Sequence, residues 1–333
     1  MKAILNNIKG DKVIWAVVLI LSVFSILAVY SSTGTLAYRK HSGNTEYYLL
    51  KHLSILFLGF VLMYIAHQVP YKYYARISQI ALYFSVPLLA YTLFFGTNLN
   101  EASRWYTLPI INMTFQPSDF AKLALIMFVA RLLAKKQDEV EDFKKGFLSI
   151  LIPVVIITLL ILPANFSTAA LIFTTCLVLM FVGRVRFSYI AILVAAGVIG
   201  AVILGTIAVN SPELPGRMGT WQKRIENFIS GDSEANFQVE QAKIAIATGG
   251  ITGKMPGNST QKNFLPHPYS DFIFAIIIEE YGIIGGTIVV LLYLVLFFRA
   301  IKIVIKSPRN FPAFLTFGVS FSLVFQAMVN MMV

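Results

Sequence analysis

Residues 271–299 read DFIFAIIIEEYGIIGGTIVVLLYLVLFFR, an apolar run that opens on Asp271, closes on Arg299 and carries Glu279 and Glu280 near its start. The stretch between the end charges, 272–298, exceeds the roughly 20 residues that a helix needs to cross hydrocarbon. It predicts a transmembrane helix, and the same signal recurs along nearly the whole chain. Nine runs are long and apolar enough to be expected spans: 14–31, 53–69, 76–95, 118–134, 147–163, 166–183, 187–209, 272–298 and 311–333. Of the 333 residues, 57% are hydrophobic and 13% charged, whereas soluble domains hold roughly 25% charged residues. The fold class is therefore all-α, a polytopic transmembrane helix bundle. It is read as one membrane domain over 1–333, with a long loop at 210–270 between the seventh and eighth runs.

The first run is read as a span and not a cleaved leader. It continues to Tyr30 at full spanning length, and SSTGT after it is a loose match to a small-residue cleavage site. The single cysteine, Cys176, lies in an apolar run, so neither a disulfide framework nor a cysteine-based metal site is expected. The net charge of +11 follows from topology, not from nucleic-acid binding. With the N-terminus inside, the inner segments collect Lys2, Lys9, Lys12, Lys72, Arg76, Arg131, Lys135, Lys136, Lys144, Lys145, Arg184, Arg186, Arg299, Lys302, Lys306 and Arg309. The short outer segments hold only Arg39, Lys40, Lys51 and Arg104. That orientation puts 210–270 and Asp271 on the outer side.

The long loop differs in composition from the spans, and loops of this length are usually functional. Within it Trp221, Ile225 and Phe228 share a helical face, which fits an interfacial helix or one packed on top of the bundle. No internal repeat or matched pair of broken helices points to a carrier. GGITGKMPGNS lacks the glycine and the hydroxyl residue of a Walker A loop, since Thr248 and Met255 stand there. The sequons at Asn112, Asn165 and Asn258 are too short to decide anything. His41, His52, His67 and His267 lack zinc-site spacing.

The segment SRWYTLPIINMTFQPSDFAKLALIMFVAR, 103–131, carries more information. Pro117 followed by Ser118 and Asp119 marks a helix start, because proline fits the first turn and acids suit the positive end of the helix dipole. Asp119 and Lys122, three apart, share a face. They form an internal ion pair, or else Lys122, with Arg104 and Lys51, lines an outward polar cavity for an anionic headgroup. Asp271 either caps the eighth span or performs chemistry at its mouth. Glu279 and Glu280 lie about 12 Å further along a helix. Each would cost roughly 2.5–3.5 kcal/mol near a span centre. They must therefore face the bundle or a wet cavity, with pairing to a basic residue as the structural alternative.

These residues resemble a known family. SRWYTLPIINMTFQPSDFAKL is similar to the RW…FQPSE-AKL signature of the SEDS proteins (shape, elongation, division and sporulation), LPHPYSDFIFAIIIEEYGIIGG to their LPE-HTDFIFA-IGEELG-IG signature, and QAKIAIATGGITGK to their outer loop. Within the family, PGNSTQKNFLP and SLVFQAMVN look more like division-type than elongation-type members. The resemblance implies a peptidoglycan glycosyltransferase polymerising lipid II, the undecaprenyl-pyrophosphate-linked disaccharide peptide, at the outer face of the bacterial cytoplasmic membrane, at the septum. It implies that Asp271 matches the family's loop aspartate, as general base or as ligand of a divalent cation, Mg2+ or Mn2+. It implies substrate contacts from Arg104, Trp105, Lys122, Asp119, Lys51, His267, Glu279 and Glu280, with Gln116, Pro117 and Ser118 in the signature. The expected partners are a class B penicillin-binding transpeptidase, other division-complex membrane proteins and membrane lipids. Alternatives within the resemblance are a lipid II flippase, a division scaffold and an elongation-type polymerase. Two departures stand out. PANFST replaces the family's QPDLGT, with Asn165 where the acid would be, and a tenth span with its GLTLP-ISYGGSS signature is missing, so the chain is expected to be shortened.

Overall fold

The computed structural model describes residues 10–34, 45–99, 102–107, 114–210, 219, 222, 233–265 and 268–332. Its helices are α1 (Lys12–Ser32), α2 (Thr45–Gln68), α3 (Tyr71–Phe95), α4 (Pro117–Lys135), α5 (Leu148–Ile161), α6 (Phe166–Val182), α7 (Phe187–Asn210), α8 (Ser233–Gly249), α9 (Ile273–Lys306) and α10 (Asn310–Met331). All but α8 fall on the nine apolar runs. Among the described residues, seven segments are long and apolar enough to cross a membrane: α1, α2, α3, Phe143–Ile161, Phe187–Ile207, α9 and α10. The remaining two, α4 and α6, depart for separate reasons. Helix α4 carries Asp119, Lys122, Arg131 and Lys135, while α6 is only 17 residues long. Trp221, Ile225 and Phe228, read as one helical face, lie outside the described residues.

The chain forms two compact units. The second comprises Tyr71–Ser230 and Ala300–Leu323, and its core surrounds α4 and α6. Ala121, Ala124, Leu125, Ile126, Val129, Ala130 and Leu133 form a fully buried stripe on α4 at helical spacing. Ile172, Cys176, Leu179 and Met180 on α6 are equally buried. Glycines let this core close: a Cβ on Gly183 would meet Leu133, and one on Gly318 would meet Ile126 and Leu179. Protein surrounds α4 and α6, so one tolerates charge and the other a short length. Strands β1 (Thr97–Leu99), β2 (Ala102–Thr107) and β3 (Thr114–Phe115) form a small antiparallel sheet between α3 and α4. This sheet was not expected from the sequence.

The first unit comprises Met1–Pro70, Gly231–Arg299 and Val324–Val333. Here α1 packs on α9 and the end of α10 through Val17, Leu296 and Val324, and through Ala28, Ile277 and Val289. Helix α2 buries none of its residues and exposes Phe57 at 71% and Leu62 at 57%. Helix α7 of the second unit likewise exposes Ile192, Val198 and Val202. Apolar faces of this extent would promote aggregation in water and are the expected lipid-facing surface of an integral membrane protein.

The eighth run is not one continuous helix. Gly282, at φ 71° and ψ −177°, breaks α9 with a backbone conformation open essentially only to glycine. A break in hydrocarbon must have its freed backbone groups satisfied by protein, and the segment after α8 does this. The Ile283 N–H donates to Gly250 O at 3.0 Å, the Ile284 N–H to Ile251 O at 3.3 Å, and the Lys254 N–H to Glu279 O at 2.9 Å. The fit leaves no space for side chains. A Cβ on Gly249 would collide with Ile278 O, one on Gly253 with Glu280 O, and one on Gly282 with Ile251 O. The glycine-rich stretch that fails as a phosphate loop is therefore a clasp on a broken helix.

Candidate active site

The sequence-predicted residues fall into both units. In the second unit, β2 carries Arg104 and Trp105, with Trp105 in register with Thr97 of β1. Gln116 precedes α4, Pro117 occupies its first turn as expected, and Gln116 Nε2 donates to Ser118 Oγ at 2.7 Å. Lys122 Nζ lies 3.7 Å from Asp119 Oδ1, with 57% of the Asp119 side chain exposed. The internal ion pair therefore exists, but with its acid side open to water it contributes little stability of its own, while the Lys122 side chain is only 16% exposed. Asn165 is the N-cap of α6, its Oδ1 accepting from the Thr168 N–H at 3.2 Å. The asparagine thus retains a cap's function where the family pattern has an acid. Ser118 and Asn165, 47 positions apart by number, line one cavity of about 20 Å³ with Thr92 and Leu89 of α3 and Ile161 of α5. That is about the space of one water molecule.

In the first unit, Lys51 lies exposed on α2. His267 lies outside the described residues. Asp271 sits in a turn two residues before the start of α9, and its side chain is exposed. The sequence offered it as the cap of this span, but the geometry differs. The Ile276 N–H bonds to Phe272 O, and among the described residues no amide of α9 donates to the Asp271 side chain. Its carboxylate is therefore presented outward. The neighbouring Phe272 is buried, packed with Leu265, Ala275, Ile276 and, from α8, Ala242 and Ala245. The exposed acid thus adjoins a buried side chain that ties its turn to α8 and to the start of α9.

Glu279 and Glu280, assigned by sequence to substrate contact, lie in the interior at 0% and 1% exposure. Glu279 Oε1 accepts from Lys254 Nζ at 2.7 Å, from Thr260 Oγ1 at 2.9 Å and from the Thr260 N–H at 3.1 Å. Its Oε2 accepts from the Gln261 N–H at 3.3 Å and from the Ser259 hydroxyl. Pairing with a base, the structural alternative, is what the geometry shows for Glu279. Glu280 is held differently, by the Ser31 hydroxyl of α1 and the Ser259 N–H. Sequence reasoning did not single out Lys254, Ser259 or Thr260. The available signal was the density of glycines at 249, 250 and 253, which no ordinary helix-to-loop junction requires.

Among the described residues no group of three or more histidines, cysteines or acids is arranged to hold a metal. The lone, outward Asp271 fits a different mode, in which Mg2+ is held by one or two carboxylates together with substrate phosphates.

Comparison with known proteins converges on one family. The profile of a family described as cell cycle protein, spanning FtsW, RodA and SpoVE, matches residues 11–333. A probable peptidoglycan glycosyltransferase FtsW of Geobacter sulfurreducens is 31% identical over 339 residues, covering 97% of this chain and 85% of the relative. The stage V sporulation protein E of Bacillus subtilis is 30% identical, covering 96% and 86%. Among solved structures, a chain of a peptidoglycan synthase complex that coordinates polymerization and crosslinking superposes with a TM-score of 0.69 at 20% identity, over 95% of this chain and 85% of that one. The rod shape determining protein RodA of Thermus thermophilus gives 0.64 at 18% identity, over 98% and 85%. At these identities the structures speak for the fold alone.

Proposed function

Because the chain belongs to the FtsW, RodA and SpoVE family of cell cycle proteins, and is an enzyme of the peptidoglycan glycosyltransferase kind, we propose that it polymerises lipid II at the outer face of the cytoplasmic membrane during septal wall synthesis. The observation that carries this reading is Asp271, exposed at the head of a broken transmembrane helix and anchored through Phe272. In the proposed reaction the 4-hydroxyl of the acceptor sugar attacks the anomeric carbon of the donor glycan. The bond from that carbon to the pyrophosphate oxygen breaks, and the polyprenyl pyrophosphate leaves. Asp271 takes the hydroxyl proton, which as general base catalysis supplies about 10² to 10⁴-fold. Orientation and charge stabilisation must supply the rest. Lys51, exposed on α2 in the same unit as Asp271, provides positive charge suited to the departing pyrophosphate. In the alternative role Asp271 would instead hold a divalent cation together with the substrate phosphates, and that cation would supply Lewis-acid neutralisation of the leaving group.

Division-type relatives among the similar proteins support the septal assignment. The partner we propose is the one the family resemblance implies, a class B penicillin-binding transpeptidase. The test is polymerisation of lipid II by the purified protein with its partner transpeptidase and Mg2+ or Mn2+, in the presence of moenomycin, wild type against Asp271→Ala. Glycan ladders that disappear in the variant support the reading. Ladders of equal strength from both would remove Asp271 from catalysis, and none from either would favour a flippase or a scaffold. Complementation of division rather than elongation defects tests the septal role.

A further inference from the structure

Glu279 gathers donors from Lys254, Ser259, Thr260 and Gln261 onto one fully buried carboxylate. No surface of it is left for substrate, yet its partners all belong to the segment that leads back to Asp271. Gln261, held through its N–H, opens a 3₁₀ turn, Gln261–Asn263. Leu265, two residues beyond that turn and 4% exposed, packs in one cluster with Phe272 and Ile276. Phe272 adjoins Asp271, and the chain then runs through the first turns of α9 back to Glu279. The described stretches 261–265 and 268–279 are thus tied to each other twice, by the contact between Gln261 and Glu279 and by the packing of Leu265 on Phe272 and Ile276, and Asp271 adjoins the second tie. Glu280 adds a second tie, linking the Ser259 N–H and the Ser31 hydroxyl of α1 to the same part of α9.

We propose that Glu279 is the positioning residue for Asp271: its carboxylate clamps 259–261 against α9, and this fixes the turn from which Asp271 reaches the acceptor hydroxyl. The physical requirement is strict, since a displacement near 1 Å can cost about 10²-fold in rate. A charged clamp in a site shielded from water also resists thermal opening better than neutral hydrogen bonds do. The inference rests on the reading of Asp271 as the catalytic group.

The experiment combines kinetics and hydrogen exchange on the full-length protein in nanodiscs with its transpeptidase partner, using lipid II as substrate. Glu279→Gln keeps the shape but loses the charge that holds Lys254. It is expected to lower kcat about 10- to 100-fold with KM within about threefold, because binding groups are untouched while the reacting group is displaced. Amides of 259–265 should exchange at least roughly tenfold faster, and those of the α4 core should not change. Glu279→Asp, which retains the charge, should recover part of kcat. Lys254→Gln and Ser259→Ala remove single donors and should show graded losses in the same order in both readouts, which keeps the test open if Glu279→Gln fails to fold. Full kcat with loosened 259–265 would overturn the positioning role. A rise in KM alone would make Glu279 a substrate contact, and unchanged exchange would remove the clamp. If Asp271→Ala polymerises normally, the reading of Asp271 has failed, whatever Glu279 does.

Discussion

Gly282 is the position where one methyl group should do the most damage. Its φ of 71° with ψ −177° belongs to a region costing a side-chain-bearing residue about 1–3 kcal/mol. The added Cβ would also press on the Ile251 carbonyl and on Gly253 N, 2.6 Å away. These are backbone atoms and cannot rotate aside. Relief requires moving the clasp away, at the expense of the bonds from Ile283 to Gly250 and from Ile284 to Ile251, each contributing about 0.5–1.5 kcal/mol. Gly282→Ala should therefore destabilise the clasp by about 2–6 kcal/mol. At 1.4 kcal/mol per decade this accelerates exchange of the Ile283 and Ile284 amides by roughly 30-fold to about 10⁴-fold. Gly250→Ala is the internal control. Gly250 also has positive φ, 56°, but a Cβ there meets nothing within 4 Å, so the cost should be only about 1–2 kcal/mol. Hydrogen exchange on both variants in nanodiscs decides the matter. Equal effects would show that dihedral strain alone matters and that the loop does not seal the break.

Two further tests address the packing of each unit. Asp11 caps α1 through the Val13 N–H at 2.8 Å and accepts from Arg299 Nε at 2.9 Å. Burial pushes its carboxyl pKa up, but the Arg299 hydrogen bond and charge and the Val13 and Ile14 amides outweigh this, leaving it below the usual value. A depressed folded value means that the stabilisation is complete above about pH 4 and is lost as pH falls through the folded pKa. Arg299→Ala should cost about 1.5–3 kcal/mol at neutral pH, and its deficit in chemical unfolding should shrink only in that acid range. Cys176, the single cysteine, is fully buried in α6. It should react with maleimide at least about 100-fold more slowly in the folded protein than in denaturant, since access requires opening of the core. Prompt labelling in the folded state would contradict the placement of α6 inside the second unit.

Much of the architecture was legible along the chain because bilayer thickness converts hydrophobic length into helices. Each of the nine apolar runs is helical, and Pro117 stands in the first turn of α4, as its chemistry requires. The stretch 233–249 was read only as part of a long loop, although it forms α8. Its mixed polar composition carries none of the hydrophobic signal that marked the spans. The strand pairing of β1, β2 and β3 was hidden for a related reason, since it joins very short segments with no alternation to detect.

The sequence by itself determined that this is a membrane bundle, which family it resembles, and that Glu279 and Glu280 needed partners, because hydropathy and the cost of a bare carboxylate in hydrocarbon are properties of each stretch alone. Only the tertiary structure decided what those partners are. The span at 272–298 looks continuous in sequence, yet it is broken at Gly282 because residues 250 and 251 supply the acceptors that the break requires. Glu279 is satisfied by Lys254 and by the amides and hydroxyls of 259–261, and Ser118 meets Asn165 at one small cavity. Such choices depend on which distant backbone atoms come within hydrogen-bond reach, which local composition does not encode.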